Sequence, residues 1–388
     1  MRFAPHLSKS IAKKRIFFDT PELRTLPQKT ETDERHLSAA MHWLCTAQDA
    51  TGVDGVSASY DLRHRTWGKP YRETTGYIID TFLDYYHLAK EASFLERAIK
   101  MGTWELGQQC SDGSYGEPDA SGTIKKKVFN TGQVILGLTS LYKETKKLDY
   151  LSASTKAADW LVQHQENDGS WNTYTTRGPK TYHSRVAWAL LKVYQLTDNP
   201  IYFEAAKKNL SWVVQRQTAN GWFEQTSLTS IDAPWTHLIA YTISGILEST
   251  SFDPSLQGLF EVAYFSADRV LSLYEHQPES SSALLPCSFN RSWQPINNFS
   301  CLTGDAQLAI IWIQLFNITQ ERKFLDGANR MIEQLKAVQL LKAKRAEIVG
   351  GVFGSFPIDG EYASFQMINW AAKFFADALL QKISVQHL

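Results

Sequence analysis

From Asp33 onward the chain alternates two kinds of apolar segment. The first kind is amphipathic at helical spacing. Over residues 150–165, Leu151, Ala157, Ala158, Trp160 and Leu161 mark an apolar face and Lys156 and Asp159 an exposed one, the pattern of a helix with one side in a core. The second kind is apolar nearly all round, as in Val186-Ala-Trp-Ala-Leu-Leu and Leu308-Ala-Ile-Ile-Trp-Ile. Such a helix must be enclosed by others.

The amphipathic segments end alike. Trp43, Trp104, Trp160 and Trp212 are each followed five residues later by a glutamine, Gln48, Gln109, Gln165 and Gln217. A glycine comes next: Gly52 or Gly55, then Gly113, Gly169 and Gly221. Gln277 and Gln339 mark two weaker copies. The six glutamines stand roughly fifty to sixty residues apart, a repeat in which each unit is too small to bury its own core and must stack on its neighbours. The spacing predicts a second, apolar helix in each unit, over residues 73–86, 128–142, 181–194, 235–248, 301–316 and 362–380. Six outer and six inner helices predict an all-α protein, an (α/α)6 toroid formed as one domain by residues 33–388. Residues 1–32 read as an N-terminal extension draped over the first unit.

The connections are unequal. Links from an inner helix to the next outer helix are short and polar, as in Thr197-Asp-Asn-Pro and Asn317-Ile-Thr-Gln-Glu. Links from an outer helix to its inner partner are long, over residues 111–127, 167–180, 278–300 and 341–361. Long loops that a fold does not require carry function. In a toroid they gather at one end, around the inner-helix N-termini, whose free N–H groups and dipoles favour negative charge.

Composition narrows the field. Forty Lys and Arg balance forty Asp and Glu, so no global charge draws the chain to nucleic acid or to an anionic membrane. The cysteines, Cys45, Cys110, Cys287 and Cys301, have no C-x-x-C spacing, which fits reduced thiols and predicts neither a disulfide framework nor a zinc site. No metal or cofactor motif is present. The basic N-terminus lacks an apolar run long enough for a signal peptide or a membrane span, which predicts a cytoplasmic location. Twelve Trp, sixteen Tyr and twenty Phe supply large cores or flat platforms for ligands.

The ending Gln165-Glu-Asn-Asp-Gly-Ser-Trp resembles the QW repeat of the squalene/hopene cyclase superfamily. The hairpin array also resembles the toroids of polysaccharide lyases, uronyl epimerases and six-hairpin glycosidases. The whole chain is similar to toroid proteins encoded in bacterial exopolysaccharide biosynthesis clusters. That resemblance implies a polysaccharide or oligosaccharide substrate and association with a polysaccharide synthesis complex. The Asp-x-Asp-Asp element with which such cyclases protonate a polyene is missing, so the likeness supports architecture and makes a terpene-cyclase-like enzyme the weaker reading.

The predicted inner-helix starts and nearby loops supply the candidate site. Catalytic candidates are His183, His237, Tyr241, Glu73 and Asp305; substrate-binding candidates are Arg185, Asn130, Tyr77, Gln133, Tyr182, Trp235, Trp370, Tyr115 and Glu117. Uronate lyase or epimerase chemistry is the first reading. It needs a group to neutralise the carboxylate (Asn130 or Arg185), a base for the C5 proton (His183 or His237) and an acid (Tyr182 or Tyr241). The His183-Ser pair within Tyr182-His-Ser-Arg looks like an element of toroidal alginate lyases, without that motif's flanking asparagines. A glycoside hydrolase with paired carboxylates Glu73 and Asp305 is the alternative. A non-catalytic saccharide-binding or scaffold protein is the third. The blander readings make His183 a capping group, pair Arg185 with Asp168 or Glu224, and place Trp188 and Trp312 in the core.

Overall fold

The computed structural model describes residues 9–229, 232–276 and 284–386. Among these residues thirteen α-helices occur, of which twelve form two concentric rings. The outer ring is Asp33–Asp49 (α2), Ala92–Gln108 (α4), Leu148–Gln163 (α6), Pro200–Val214 (α8), Leu259–Glu275 (α10) and Arg322–Val338 (α12). The inner ring is Arg72–Ala89 (α3), Val128–Thr145 (α5), Ser184–Thr197 (α7), Thr236–Ser249 (α9), Leu302–Thr319 (α11) and Asn369–Gln386 (α13). Lys9–Asp19 forms α1.

Burial follows the sequence pattern. In α12 the buried apolar residues Phe324, Leu325, Ala328, Met331, Ile332 and Leu335 recur at three- and four-residue spacing, whereas in α11 every residue from Leu302 to Ile313 is buried. Pro200 opens α8, and the Asn199 side chain accepts the Ile201 N–H, satisfying one of the donors that a helix start leaves free. Four inner helices end on a residue of left-handed conformation, Lys90, Lys146, Asp198 and Gln320. That conformation stops the helix and turns the chain outward within a few residues.

Each inner helix touches the next around the ring, and α13 returns to α3. The antiparallel pairs run from an inner helix to the outer helix that follows it, as α3 with α4 and α11 with α12. The last pair has no covalent link: α2 packs on α13. The ring is therefore closed by non-covalent contacts, side chains among them. Asp33 of α2 takes both Lys336 and Lys382, each at 2.8 Å. Burial acts to raise the Asp33 pKa, but the two ammonium groups prevail and hold it below its ordinary value.

The helical pattern predicts no strands, yet seven short ones lie among the loops of the described residues. One of them corrects the sixth inner helix, which starts at Asn369 rather than near residue 362. Gln366–Ile368 is instead a strand (β7 in chain order) that pairs antiparallel with Ser59–Asp61 (β1), Tyr60 opposite Met367. This pairing joins the last loop to the first. The N-terminal extension reaches the sixth unit: Lys13 pairs with Asp359 at 2.9 Å, and the Gln28 N–H donates to the Ala337 carbonyl.

The five repeated glutamines among the described residues share one job. The Gln165 amide donates to the Gly169 carbonyl of its own loop, at 3.0 Å, and to the Ala205 carbonyl of the next outer helix, at 2.8 Å. Gln109 does the same with Gly113 and Ala153, and Gln48 with Asp54 and Arg97. Gln217 bonds Val262 and Ser266, and Ser266 passes its own hydroxyl to Gly221. Gln339 closes the circle on α2, donating to the carbonyls of Gly350 and His36. His36 accepts the Glu31 N–H at Nε2 and so donates from Nδ1 to the Gln339 side-chain oxygen, at 2.6 Å. Gln277 lies outside the described residues. The glycine is required by space as well as by conformation: Gly169 has φ +90, and a Cβ there would collide with the Lys208 carbonyl of α8.

These bonds predict graded stability losses in chemical denaturation. Gln339→Ala, which strips buried partners on both sides of the seam, should cost about 2 to 3 kcal/mol, and Gln109→Ala, with two carbonyls left unpaired, about 1 to 2 kcal/mol. Gln320→Ala, an exposed glutamine at a turn, is the control, with little effect expected. Equal midpoints for all three variants would contradict the stitching role.

Candidate functional site

The long loops gather at the N-terminal ends of the inner helices and enclose a cavity of about 250 Å³ there. Its wall is largely aromatic: Tyr71, Tyr77, Phe129, Tyr182, Tyr241, Tyr362 and Trp370 all face it. These rings brace one another. Phe129 meets Tyr182 edge-on at 5.1 Å and Tyr241 at 5.2 Å, and the Trp370 indole N–H donates to the Tyr362 hydroxyl at 2.7 Å. Rings fixed by their neighbours keep a rigid face for a ligand at little entropic cost.

Among the described residues one carboxylate lines this cavity, Glu73, in the first turn of α3. Tyr71, two residues earlier, donates its hydroxyl to Glu73 Oε2 at 3.1 Å. Burial among the rings pushes the Glu73 carboxyl up to about 7, and the Tyr71 bond and the charge of Lys127 offset only part of this. A carboxyl so placed exchanges its proton near neutral pH, which suits a general acid or base. Glu117 lies behind it and is occupied, bonded by the Arg72 backbone N–H at 3.1 Å and by the guanidinium at 3.3 Å.

His237, in the first turn of α9, also lines the cavity. The rings of Tyr362, at 4.9 Å, and Tyr241, at 5.8 Å, hold its imidazole. Behind it the Cys301 thiol is 3.8 Å from Nδ1, which leaves Nε2 as the nitrogen not engaged by the thiol. Asn130, 1 % exposed, lines the cavity with a side-chain N–H that has no partner. An orphaned buried donor costs about 1 to 3 kcal/mol, so a ligand oxygen there recovers free energy. Tyr241 and Tyr77 touch through their hydroxyls, 3.4 Å apart, and form the floor.

The structure thus brings together Glu73, His237, Tyr241, Asn130, Tyr77, Tyr182 and Trp370 from the residues that the sequence singled out. Trp235 stands just outside, its ring against Tyr362 at 4.9 Å. The others are elsewhere. His183 is 1 % exposed beneath the Trp171 ring, and burial, with the charge of Lys180, drives it down to about 3, leaving a neutral imidazole outside the cavity. Asp305 is fully buried without a side-chain partner, its pKa raised by burial, and faces neither Glu73 nor the cavity. Tyr115 is fully buried and its pKa is raised, first by burial and then by the charge of Glu105. Arg185 points the other way along the ring axis and accepts support from Gln133, Nε to Oε1 at 2.9 Å. It pairs with neither Asp168, which bonds Ser170, nor Glu224, which pairs with Arg291. Trp312 is core, whereas Trp188 is only half-buried.

Sequence reasoning missed Tyr71, Lys127 and Tyr362. Tyr71 and Lys127 are the residues just before α3 and α5, and reading that register in all six units would have found them. Tyr362 lies in an irregular loop where no periodicity points to it.

A model of the squalene-hopene cyclase C-terminal domain matches residues 124–247, the stretch that holds the best-formed Gln and Gly signals. No curated protein matches the sequence. Solved structures match over nearly the whole chain. An unsaturated glucuronyl hydrolase specific for heparin is 14% identical, with TM-score 0.72, over 92% of this chain and 98% of that one. A cellobiose 2-epimerase from Bacillus thermoamylovorans is 12% identical, TM-score 0.69, over 91% and 98%. A sugar epimerase from a ruminal bacterium is 13% identical, TM-score 0.70, over 92% and 98%. At such identities the likeness is one of fold, and the fold is the (α/α)6 toroid.

Proposed function

We propose that this protein is a carbohydrate-active enzyme that works by proton transfer, with epimerase or lyase chemistry, on a saccharide seated in the aromatic cavity. The observation that carries this reading is Glu73, whose carboxyl faces the cavity with a pKa near 7 beside a ring-held imidazole. Glu73 acts as the acid–base group for a C–H proton, His237 as its partner, and Asn130 as a donor to the oxygen on which negative charge develops. The aromatic wall holds the apolar face of the sugar and excludes water. The epimerases among the similar folds support this reading.

Hydrolysis is the second reading, supported by the unsaturated glucuronyl hydrolase of like fold. It would use Glu73 as proton donor, because Asp305 and Glu73 do not face a common cavity and the usual two-carboxylate arrangement needs both. Service to a bacterial polysaccharide synthesis complex in the cytoplasm belongs to the same proposal. Among the described residues no helix is long and apolar enough to cross a membrane.

The test is incubation with cellobiose, with uronate polymers and with unsaturated uronyl oligosaccharides, followed by chromatography and ultraviolet absorbance. An epimer or a newly unsaturated end supports proton transfer at carbon; consumption of the unsaturated end supports hydrolysis; no conversion of any of them defeats both. For the active substrate, Glu73→Gln should lower turnover by on the order of a thousandfold, within the range for loss of a general acid–base group, and abolish the pH inflection near 7. Asp305→Asn should retain turnover.

Stability gives a test that needs no substrate. The folded Glu73 carboxyl titrates at about 7 against an ordinary 4.5, so between these values the folded state holds a proton that the unfolded chain releases. This contribution to stability is present at low pH and is lost as pH rises through 7. The melting temperature of Glu73→Gln relative to the parent should therefore rise across that window, by the equivalent of on the order of 3 kcal/mol above pH 7. A difference that does not change with pH would contradict the raised pKa.

A further inference from the structure

Arg185, expected at the loop end, faces a second cavity. This one, of about 440 Å³, opens at the opposite end of the ring axis, where the short turns lie. Tyr77 lines both cavities and stands between them.

The wall formed by α5 and α7 is cationic. The Arg185 guanidinium is 5 % exposed, donates to Gln133 and to the Ser244 hydroxyl, and lies over the rings of Tyr241, at 4.9 Å, and Trp188, at 5.2 Å. Among the described residues no carboxylate comes within ion-pairing distance of it. Lys143 is bonded to the Gln195 amide oxygen, and the carboxylate of Asp80 is 3.9 Å from Lys192. A buried guanidinium without a counter-ion is costly to keep, and two ammonium groups farther along the same wall, of which Lys143 has no carboxylate partner, favour an anion there.

The facing wall is built for hydroxyls. Gln307, 3 % exposed, reaches the cavity with both amide atoms unpartnered, and Asp80 Oδ1 is likewise unpartnered. Burial, then the charges of Asp377 and Asp80, push Asp84 up to about 7, so near neutral pH it is also a donor. Lys373 is taken up by Asp377, and the rim carboxylates Glu144 and Glu248 by His87 and Gln314.

We propose that this turn-end cavity is a second ligand site, for a small anionic sugar whose carboxylate or phosphate sits on Arg185, with hydroxyls on Gln307 and Asp80 and a ring face on Trp188. The shared chemistry is a polyol bearing one anionic group, and the size of the cavity suits a ligand of one or two sugar rings. The site is distinct from the loop-end cavity and stands whether or not the proposed activity does. Through the stacking of Arg185 on Tyr241, its occupant touches the floor of that cavity.

Isothermal titration of the full chain with glucuronate, glucose 6-phosphate and glucose tests this. At least one of the two anions should bind, and glucose at least about tenfold more weakly, as expected for loss of a charge-assisted pair. Preference for glucuronate marks a carboxylate ligand and preference for glucose 6-phosphate a phosphate. Arg185→Gln should weaken the anion about tenfold or more, and Lys143→Gln, at an exposed position that leaves folding intact, severalfold. Glu73→Gln, which removes a negative charge that Arg185 feels from the other cavity, should not weaken binding. The proposal is overturned if neither anion binds, if glucose binds as tightly, or if Glu73→Gln abolishes binding while Lys143→Gln does not.

Discussion

A toroid has no central sheet or other single element to hold it together; each unit must grip the next. The glutamine at the end of five of the outer helices supplies that grip among the described residues, with one side-chain amide shared between its own loop and the next outer helix, as for Gln165 between the Gly169 and Ala205 carbonyls. The bond fixes two things together: the distance between neighbouring outer helices and the path of the long loop as it leaves. Since those loops build the aromatic cavity, the geometry of the site rests on a row of amide bonds well behind it. The same bond made by Gln339 to Gly350 and His36, beside the Asp33–Lys336–Lys382 cluster and the β1–β7 pairing, turns a curved array into a closed ring.

Closure creates an axis with two unlike ends. At the loop end, helix N-termini and aromatic side chains surround Glu73 and His237 in a largely apolar setting, and desolvation tunes Glu73 toward neutral pH. At the turn end, the inner helices carry charged residues, cations on α5 and α7 facing carboxylates on α3 and α13. The partition between the ends is thin: the hydroxyl contact of Tyr77 and Tyr241, with the Arg185 guanidinium against the far face of Tyr241.

The ring was legible in the sequence because its two signals are local and recurrent: amphipathic spacing, and six glutamines at intervals of roughly fifty to sixty residues, four of them with the preceding Trp and following Gly. The sixth inner helix was placed too early because residues 362–368 are as apolar as a helix, and only the pairing of Gln366–Ile368 with the distant Ser59–Asp61 makes them a loop and a strand. For the site, the position of a residue near a helix start was readable, but the direction of its side chain was not. Arg185 lies two residues from His183 and three from Tyr182, yet Tyr182 faces the loop end, Arg185 the turn end and His183 neither. In a helix that rotates by a large fraction of a turn every residue, closeness in sequence does not put side chains in one cavity. Asp305 and Glu73 illustrate the same point across the ring: both open inner helices, and they face different surroundings.

The central claim is that Glu73 moves a proton to or from a sugar carbon. The direct measurement is nuclear magnetic resonance of the saccharide after turnover in deuterium oxide. Proton transfer at carbon predicts, in the product formed by the wild-type protein, either a new carbon–deuterium bond, from epimerisation, or a new unsaturated end that has lost its C5 proton, from elimination, and neither with Glu73→Gln. Product that forms at the wild-type rate in Glu73→Gln, or that carries neither deuterium on carbon nor a new unsaturated end, would contradict it.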